Sequence, residues 1–184
     1  MKTKEIIKEA VSVVLYIAVV LAATWFVITF VGQRTQVNGS SMEPTLSDHD
    51  NLIVDKISYR FRDPKRYDII VFPYKYEENT YYIKRIIGLP GETVQIIDGE
   101  VYINGEPLEA EGALDAASIA GLAEYPMELS EDEYFLLGDN RESSEDSRFS
   151  SIGNVKRDQL IGKVWFRIQP FSQFGPVSLK GEEG

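Results

Sequence analysis

Two adjacent serines, Ser40 and Ser41, sit in the run Asn38-Gly39-Ser40-Ser41-Met42-Glu43-Pro44-Thr45-Leu46. Glycine lets the backbone bend sharply enough to expose a neighbouring serine oxygen, as a nucleophile requires, although serine in a Gly/Pro loop is far more often a turn residue. Neither a G-x-S-x-G elbow nor an S-x-x-K spacing occurs in the chain, so any base that activates one of these serines has to come from elsewhere. Lys84 is the candidate. It lies in Tyr81-Tyr82-Ile83-Lys84-Arg85-Ile86-Ile87, which reads as a strand apolar on both faces, with Tyr82, Lys84 and Ile86 sharing one face at a period of two. An ammonium held against Tyr and Ile loses hydration, its pKa falls, and the neutral amine can accept a hydroxyl proton. Arg85 cannot do this, because a guanidinium stays protonated. The ordinary alternative is a lysine that snorkels to water or pairs with an acid. A third polar cluster, Gly138-Asp139-Asn140-Arg141-Glu142-Ser143-Ser144-Glu145-Asp146-Ser147-Arg148, follows the apolar stretch Tyr134 to Leu137. It reads either as a solvated charged loop or as a source of hydroxyls to orient an amine and of charges to lock a loop.

Short β-rich segments broken by Pro, Gly, Asn and Asp surround these clusters, the pattern of an all-β domain. Strands are expected over Asn51 to Lys56, Asp68 to Pro73, Thr80 to Gly88, Thr93 to Asp98, Glu100 to Ile103, Tyr134 to Gly138 and Ile161 to Ile168. Asp98-Gly99 and Asn104-Gly105 favour the positive φ angles of tight hairpins. Residues 108–130, rich in Ala and Glu, read as an irregular insertion with a short helix near Ala113 to Ala120, and residues 180–184 as a disordered acidic tail.

The first thirty residues differ in kind. Val11 to Val31 carries no charge and, at about 1.5 Å per residue, is long enough to cross the roughly 30 Å hydrocarbon core. This predicts a cytoplasmic segment at 1–9, a membrane helix at 10–32 and an outer β domain at 33–179. Lys2, Lys4 and Lys8 precede the span and only Arg34 follows closely, which places the N-terminus inside. A cleaved signal would have a shorter apolar region and small residues at its end; Val20-Leu21-Ala22 instead lies within the run.

Several chemistries are excluded by composition. With no Cys there is no thiolate nucleophile or zinc–thiolate site, and the single histidine, His49, forbids a two-histidine metal motif. A net charge of −10 argues against nucleic acid as a partner. His49, in Asp48-His49-Asp50, is the one conceivable base of a Ser-His-Asp hydrolase, but the segment reads more naturally as a turn. A single-span adaptor with incidental Ser and Lys remains the non-enzymatic alternative.

The segments SMxPTL at Ser41, YIKRIIGLPGE at Tyr82 and GDNRxxSxDSR at Gly138, in that order after a membrane span, resemble the bacterial type I signal peptidases. So do Arg66-Tyr67-Asp68-Ile69-Ile70-Val71-Phe72 and Ile161-Gly162-Lys163-Val164-Trp165-Phe166 followed by Pro170. The resemblance covers nearly the whole chain. It implies a mainly β, coiled antiparallel and barrel-like domain, shared with self-cleaving repressors, which would carry a DNA-binding domain in place of the span. It implies a serine endopeptidase that needs no cofactor or metal and removes signal peptides after small residues at positions −1 and −3, at a site near lipid. By the same resemblance Ser41 is the nucleophile, Lys84 its base and Ser144 the hydroxyl that orients the amine. Asp139, Asp146 and Arg148 form the loop's ionic framework, and Val37, Met42, Leu52, Val71, Tyr82 and Ile83 wall the substrate pockets. Ser40 and Ser143 are then bystanders. Gly39 stands where some relatives carry a serine that helps bind the oxyanion, so backbone N–H groups, including that of Ser41, are expected to serve instead.

Overall fold

The computed structural model describes residues 2–26, 32–108 and 116–177. Its N-terminal helix, α1 (Lys2–Phe26), begins earlier than the apolar run alone predicts, because Lys, Glu and Ala are good helix formers and extend the helix toward the N-terminus. Twenty-five residues make a rod about 37 Å long. Glu5 to Trp25 has a mean hydropathy of 2.2, and none of the hydrophobic window within it is buried by the rest of the chain. An uncovered apolar surface of this kind needs a partner outside the fold, and a bilayer supplies one. Gly32 already belongs to the first strand, so the helix does not reach the expected residue 32.

Among the described residues twelve strands follow: β1 (Gly32–Gln36), β2 (Asn51–Asp55), β3 (Ile69–Pro73), β4 (Tyr81–Gly88), β5 (Thr93–Ile97), β6 (Glu100–Ile103), β7 (Glu106–Pro107), β8 (Met127–Glu128), β9 (Glu133–Leu137), β10 (Val155–Lys156), β11 (Gly162–Gln169) and β12 (Gly175–Pro176). The larger sheet runs β1-β2-β11-β3-β4-β9-β10, with β12 on the side of β11; the smaller runs β7-β6-β5-β8. Every pairing in both is antiparallel. Among the described residues the barrel-like closure implied by the resemblance is absent: closure would require the terminal strands β1 and β10 to pair with each other, and each pairs with a single inner neighbour, β2 and β9.

The seven expected strands all form, to within a residue or two at each end. Asp98-Gly99 (φ 50° and 88°) and Asn104-Gly105 (φ 54° and 85°) make the two left-handed hairpin turns. The 108–130 insertion contributes β8 to the small sheet. Its helix lies elsewhere than expected: residues 116–120 are not helical and a single 3₁₀ turn forms at Gly121–Glu124, while 109–115 lie outside the described residues, as does the acidic tail.

Three apolar clusters hold the sheets. Ile87, Val94, Ile96, Val101, Leu129, Phe135 and Leu137 join the small sheet to β4 and β9. A second cluster around Ile70, Phe72, Ile86, Tyr134 and Leu136 packs one face of the large sheet, and a third around Val37, Met42, Leu46, Leu52, Val54 and Val71 packs the other. β4 is in contact with all three through Ile87, Ile86 and Ile83, which is why its sequence is apolar on both faces.

Candidate active site

The nucleophile candidate enters from the loop after β1. Gly39 takes a φ of 97°, in the left-handed region that glycine tolerates, and its N–H donates to Asp48 Oδ1 at 2.8 Å. The chain then coils through a helical turn in which the Leu46 N–H reaches the Met42 carbonyl at 2.8 Å. Met42 and Leu46 are fully buried in the third cluster and fix this turn from below, leaving Ser41 half-buried at its start. Among the described residues the Ser41 N–H has no acceptor, so it remains available to an incoming oxyanion.

Lys84 comes from the middle of β4, only 3% exposed, between Tyr82 and Ile86 as the period of two predicts. Its Nζ lies 2.7 Å from Ser41 Oγ and 3.1 Å from the Ile83 carbonyl oxygen. The Tyr82 ring centroid is 5.3 Å from Nζ. Burial lowers the pKa of Lys84 from its ordinary 10.5 to about 8, with the carboxylates of Asp146, Asp139 and Glu145 resisting the fall and Arg148 assisting it. Desolvation wins because the amine is sealed from water, whereas Asp139 and Asp146 are already paired with Arg85 and Arg148 and Glu145 is exposed to solvent.

Those arginines define the loop. Asp146 is locked by Arg148 through Nε at 2.8 Å and Nη2 at 3.0 Å, and it also accepts from the Gly138 N–H at 3.1 Å. Asp139 does not join that pair. It is held by Arg85, whose Nε and Nη2 reach its two carboxylate oxygens at 2.7 and 2.6 Å, both side chains being almost wholly buried. Arg85 also donates to the Tyr67 carbonyl at 2.9 Å and to Thr45 Oγ1 at 3.3 Å, tying β4, the loop and the nucleophile turn together. Sequence reasoning set Arg85 aside because it cannot be a base. The signal that would have found it is an arginine in a strand apolar on both faces, which has to be buried and therefore paired.

Ser144 is buried, but its Oγ has no hydrogen-bond partner among the described residues, so the bond to the Lys84 amine implied by the resemblance is not formed here. It is nonetheless close to the nucleophile loop. A methyl on Gly138 would lie 2.2 Å from Ser144 Oγ and 2.5 Å from the Ser41 carbonyl oxygen, and the Asn140 N–H donates to that same carbonyl at 3.1 Å. Only glycine lets the two loops approach so closely.

Ser41 and Lys84 open onto a cleft of about 840 Å³ that includes Val37, Met42, Val71, Tyr82 and Ile83, five of the six expected pocket walls. Leu52 is the exception: it does not line the cleft but is fully buried in the third apolar cluster, which Val37, Met42 and Val71 share. Ser40 and Ser143 also border the cleft. His49 does not; it sits on a turn with φ 68°, largely exposed, beside Asp48 at 3.3 Å. No group of His, Cys, Asp and Glu among the described residues is arranged to hold a metal ion.

The cleft runs between two strand edges. Among the described residues β1 pairs only with β2, and β4 pairs with β3 over Tyr81 to Arg85 but meets β9 only from Arg85 onward. Tyr81 to Lys84 therefore present backbone groups on one side with no strand opposite, and Gln33 to Gln36 do the same across the opening.

Comparison with known proteins shows the family. The family described as "Signal peptidase, peptidase S26" matches residues 7–169. The chain is 42% identical over 155 residues to a probable signal peptidase I-2 of Synechocystis, covering 80% of this chain and 67% of that protein. It is 37% identical over 164 residues to signal peptidase I of Bacillus licheniformis, covering 85% and 86% respectively. A crystal structure of a signal peptidase I from Enterococcus faecalis matches 56% of this chain and 97% of that one, at 33% identity and a TM-score of 0.43. With a family match across most of its length and relatives this similar over most of theirs, the chain belongs to the signal peptidase family, peptidase S26.

Proposed function

We propose that this protein removes N-terminal signal peptides from exported precursors by cleaving after small, Ala-x-Ala-like sites, with Ser41 forming an acyl-enzyme and Lys84 acting as general base and acid. The observation that carries this reading is the 2.7 Å contact between Ser41 Oγ and a buried Lys84 amine at the floor of a cleft between two unpaired strand edges.

The chemistry follows from the contacts. A neutral amine has two N–H groups and one lone pair. The Ile83 carbonyl accepts one N–H, which turns the lone pair toward the Ser41 hydroxyl. As the serine oxygen bonds to the scissile carbonyl carbon, its proton moves to Nζ, and the negative charge developing on the substrate oxygen is received by the Ser41 N–H. The Lys84 ammonium then protonates the departing amine as the C–N bond breaks. A water entering the vacated space gives a proton to Lys84 Nζ as its oxygen adds to the ester carbon, and the Lys84 ammonium returns that proton to Ser41 Oγ as the ester C–O bond breaks, releasing the carboxyl product and free Ser41. Nothing in this sequence requires a cofactor.

An extended precursor segment fits between the β1 edge and the Tyr81–Lys84 edge, where main-chain pairing holds it and leaves selectivity to Val37, Met42, Val71, Tyr82 and Ile83. Short apolar walls accept alanine-sized side chains and leave no partner for a charge. The uncovered apolar helix α1, with Lys2, Lys4 and Lys8 at its N-terminal, cytoplasmic end, supports a single-pass anchor in the bacterial cytoplasmic membrane with the catalytic domain outside, where precursors emerge. Membrane lipid is then a partner of α1. The test is cleavage of a synthetic precursor by the detergent-solubilised protein: Ser41→Ala and Lys84→Ala should each abolish it, and cleavage surviving either change would reject the reading.

A further inference from the structure

We infer that the segment Ser118–Leu122 of the small sheet's insertion is a clamp that positions the catalytic loop, with Ser118 and Gly121 as positioning residues for the reaction. The inference rests on the proposed roles of Lys84 and of the loop that surrounds it.

The segment is anchored at both ends in the small sheet. Ala117 and Ala123 are buried in that sheet's apolar cluster, and the Ala117 N–H donates to the Gly99 carbonyl at 3.0 Å. Between these anchors it meets the catalytic loop on either side of Ser144. On one side, the Ser118 N–H and hydroxyl take both carboxylate oxygens of Glu142, at 3.2 and 2.8 Å. These two bonds hold the Glu142 carboxyl below its ordinary pKa, so the contact persists as an ionised pair of hydrogen bonds at neutral pH. On the other side, Arg148 is gripped at both ends. Its Nη1 donates to the Ile119 carbonyl at 3.1 Å, and its own carbonyl accepts from the Leu122 N–H at 2.8 Å.

Arg148 is the route from this segment to the amine. The same guanidinium holds Asp146 and donates to the carbonyls of Arg141, at 2.6 Å, and Ser144, at 3.3 Å. Asp146 is in turn the foremost of the carboxylates acting on Lys84. Gly121 sets how closely the clamp approaches. Its φ is +56°, and a Cβ there would lie 2.2 Å from the Arg148 carbonyl oxygen, 3.0 Å from its carbon and 3.1 Å from its Cβ. These are two backbone atoms and the first side-chain carbon, none of which can swing aside, so any side chain at 121 forces the clamp and loop apart. None of residues 118–122 borders the substrate cleft. A displaced clamp therefore alters the reacting groups while leaving the binding walls in place, and the loss should appear in kcat rather than KM.

The experiment uses the full chain in detergent with a fluorogenic precursor peptide, comparing the parent, Gly121→Ala, Ser118→Ala, Ser118→Thr, Glu142→Gln and the Ser118→Ala/Glu142→Gln double variant. Gly121→Ala should lose kcat by about tenfold or more, with KM within about twofold of the parent. Its acidic limb in the pH–rate profile should move by a measurable fraction of a pH unit, because Asp146 has shifted relative to Lys84. Ser118→Ala and Glu142→Gln, both at exposed positions where folding is spared, should each lower kcat a few-fold. The double variant should be no worse than the poorer single one, and Ser118→Thr should restore the parent value. Parental kcat and pH profile in Ser118→Ala and Glu142→Gln would overturn the clamp even if Gly121→Ala failed to fold. So would a loss confined to KM. A parent that does not cleave, or an active Lys84→Ala, would instead refute the proposed function itself, which keeps the two failures apart.

Discussion

Burying a base has a stability consequence that can be measured apart from activity. Lys84 titrates near 8 in the fold and near 10.5 when unfolded. Between those values the unfolded chain binds a proton that the native chain does not, so native stability rises with pH across that window. Below pH 8 both states are protonated and the full penalty of a buried ammonium is present; it is relieved as pH climbs from 8 to 10.5. At roughly 1.4 kcal/mol per pH unit the penalty is about 3 kcal/mol. Lys84→Met removes the titration and keeps most of the volume, at a cost of about 1 kcal/mol for each hydrogen bond lost to Ser41 and Ile83. The variant should thus be more stable than the parent at pH 7 by about 1 kcal/mol, and less stable at pH 10.5 by about 2 kcal/mol. Whatever the offset, the gap between them should change by about 3 kcal/mol over that range. Denaturant unfolding of the two proteins in the same detergent, followed by tryptophan fluorescence at several pH values, measures it. A gap that stays constant with pH would show that Lys84 is not desolvated in the fold.

Ser40→Ala, Ser143→Ala and His49→Ala should each keep most of the precursor cleavage of the parent, since none of these groups is bonded to Ser41 or Lys84; loss in His49→Ala equal to that in Lys84→Ala would reject the Ser/Lys assignment. Ser144→Ala should lower turnover, though less than Lys84→Ala, if its free hydroxyl turns to the amine during the reaction; unchanged turnover would remove it from the site. Asp139→Ala leaves Arg85 charged, buried and unpaired, and should cost about 3–5 kcal/mol of stability, read as a fall in the unfolding midpoint. Protease added outside right-side-out vesicles should digest the chain beyond Arg34 and spare the N-terminal lysines, and protection of the β domain would overturn the orientation.

Much of this architecture was legible because local rules and tertiary demands agree. The strands around Ile70, Lys84 and Leu136 are short apolar runs bounded by turn residues, and the two Asx-Gly hairpins need positive φ that few other residues accept. Lys84 was legible for a physical reason, being the one of two adjacent cations able to lose its proton, in a strand with no polar face on which to rest. What escaped was the two-residue strands β7, β8, β10 and β12, which exist only because a neighbour offers a ladder, and β1, whose Gly32-Gln33-Arg34-Thr35-Gln36 carries no apolar alternation. The partnership of Arg85 with Asp139 was hidden for a similar reason, since 54 residues separate the two. The same holds for the clamp on Arg148. Leu52 shows the converse limit: an apolar residue can match a pocket position in sequence and still be covered by its neighbours in the core.

The most direct test of the central claim is the pH dependence of single-turnover precursor cleavage by the solubilised enzyme. With Lys84 as a base of pKa about 8, the rate should rise about tenfold per pH unit up to pH 7 and level off above about 8. A rate that kept climbing past pH 10, as an ordinary solvated lysine would require, would contradict the account.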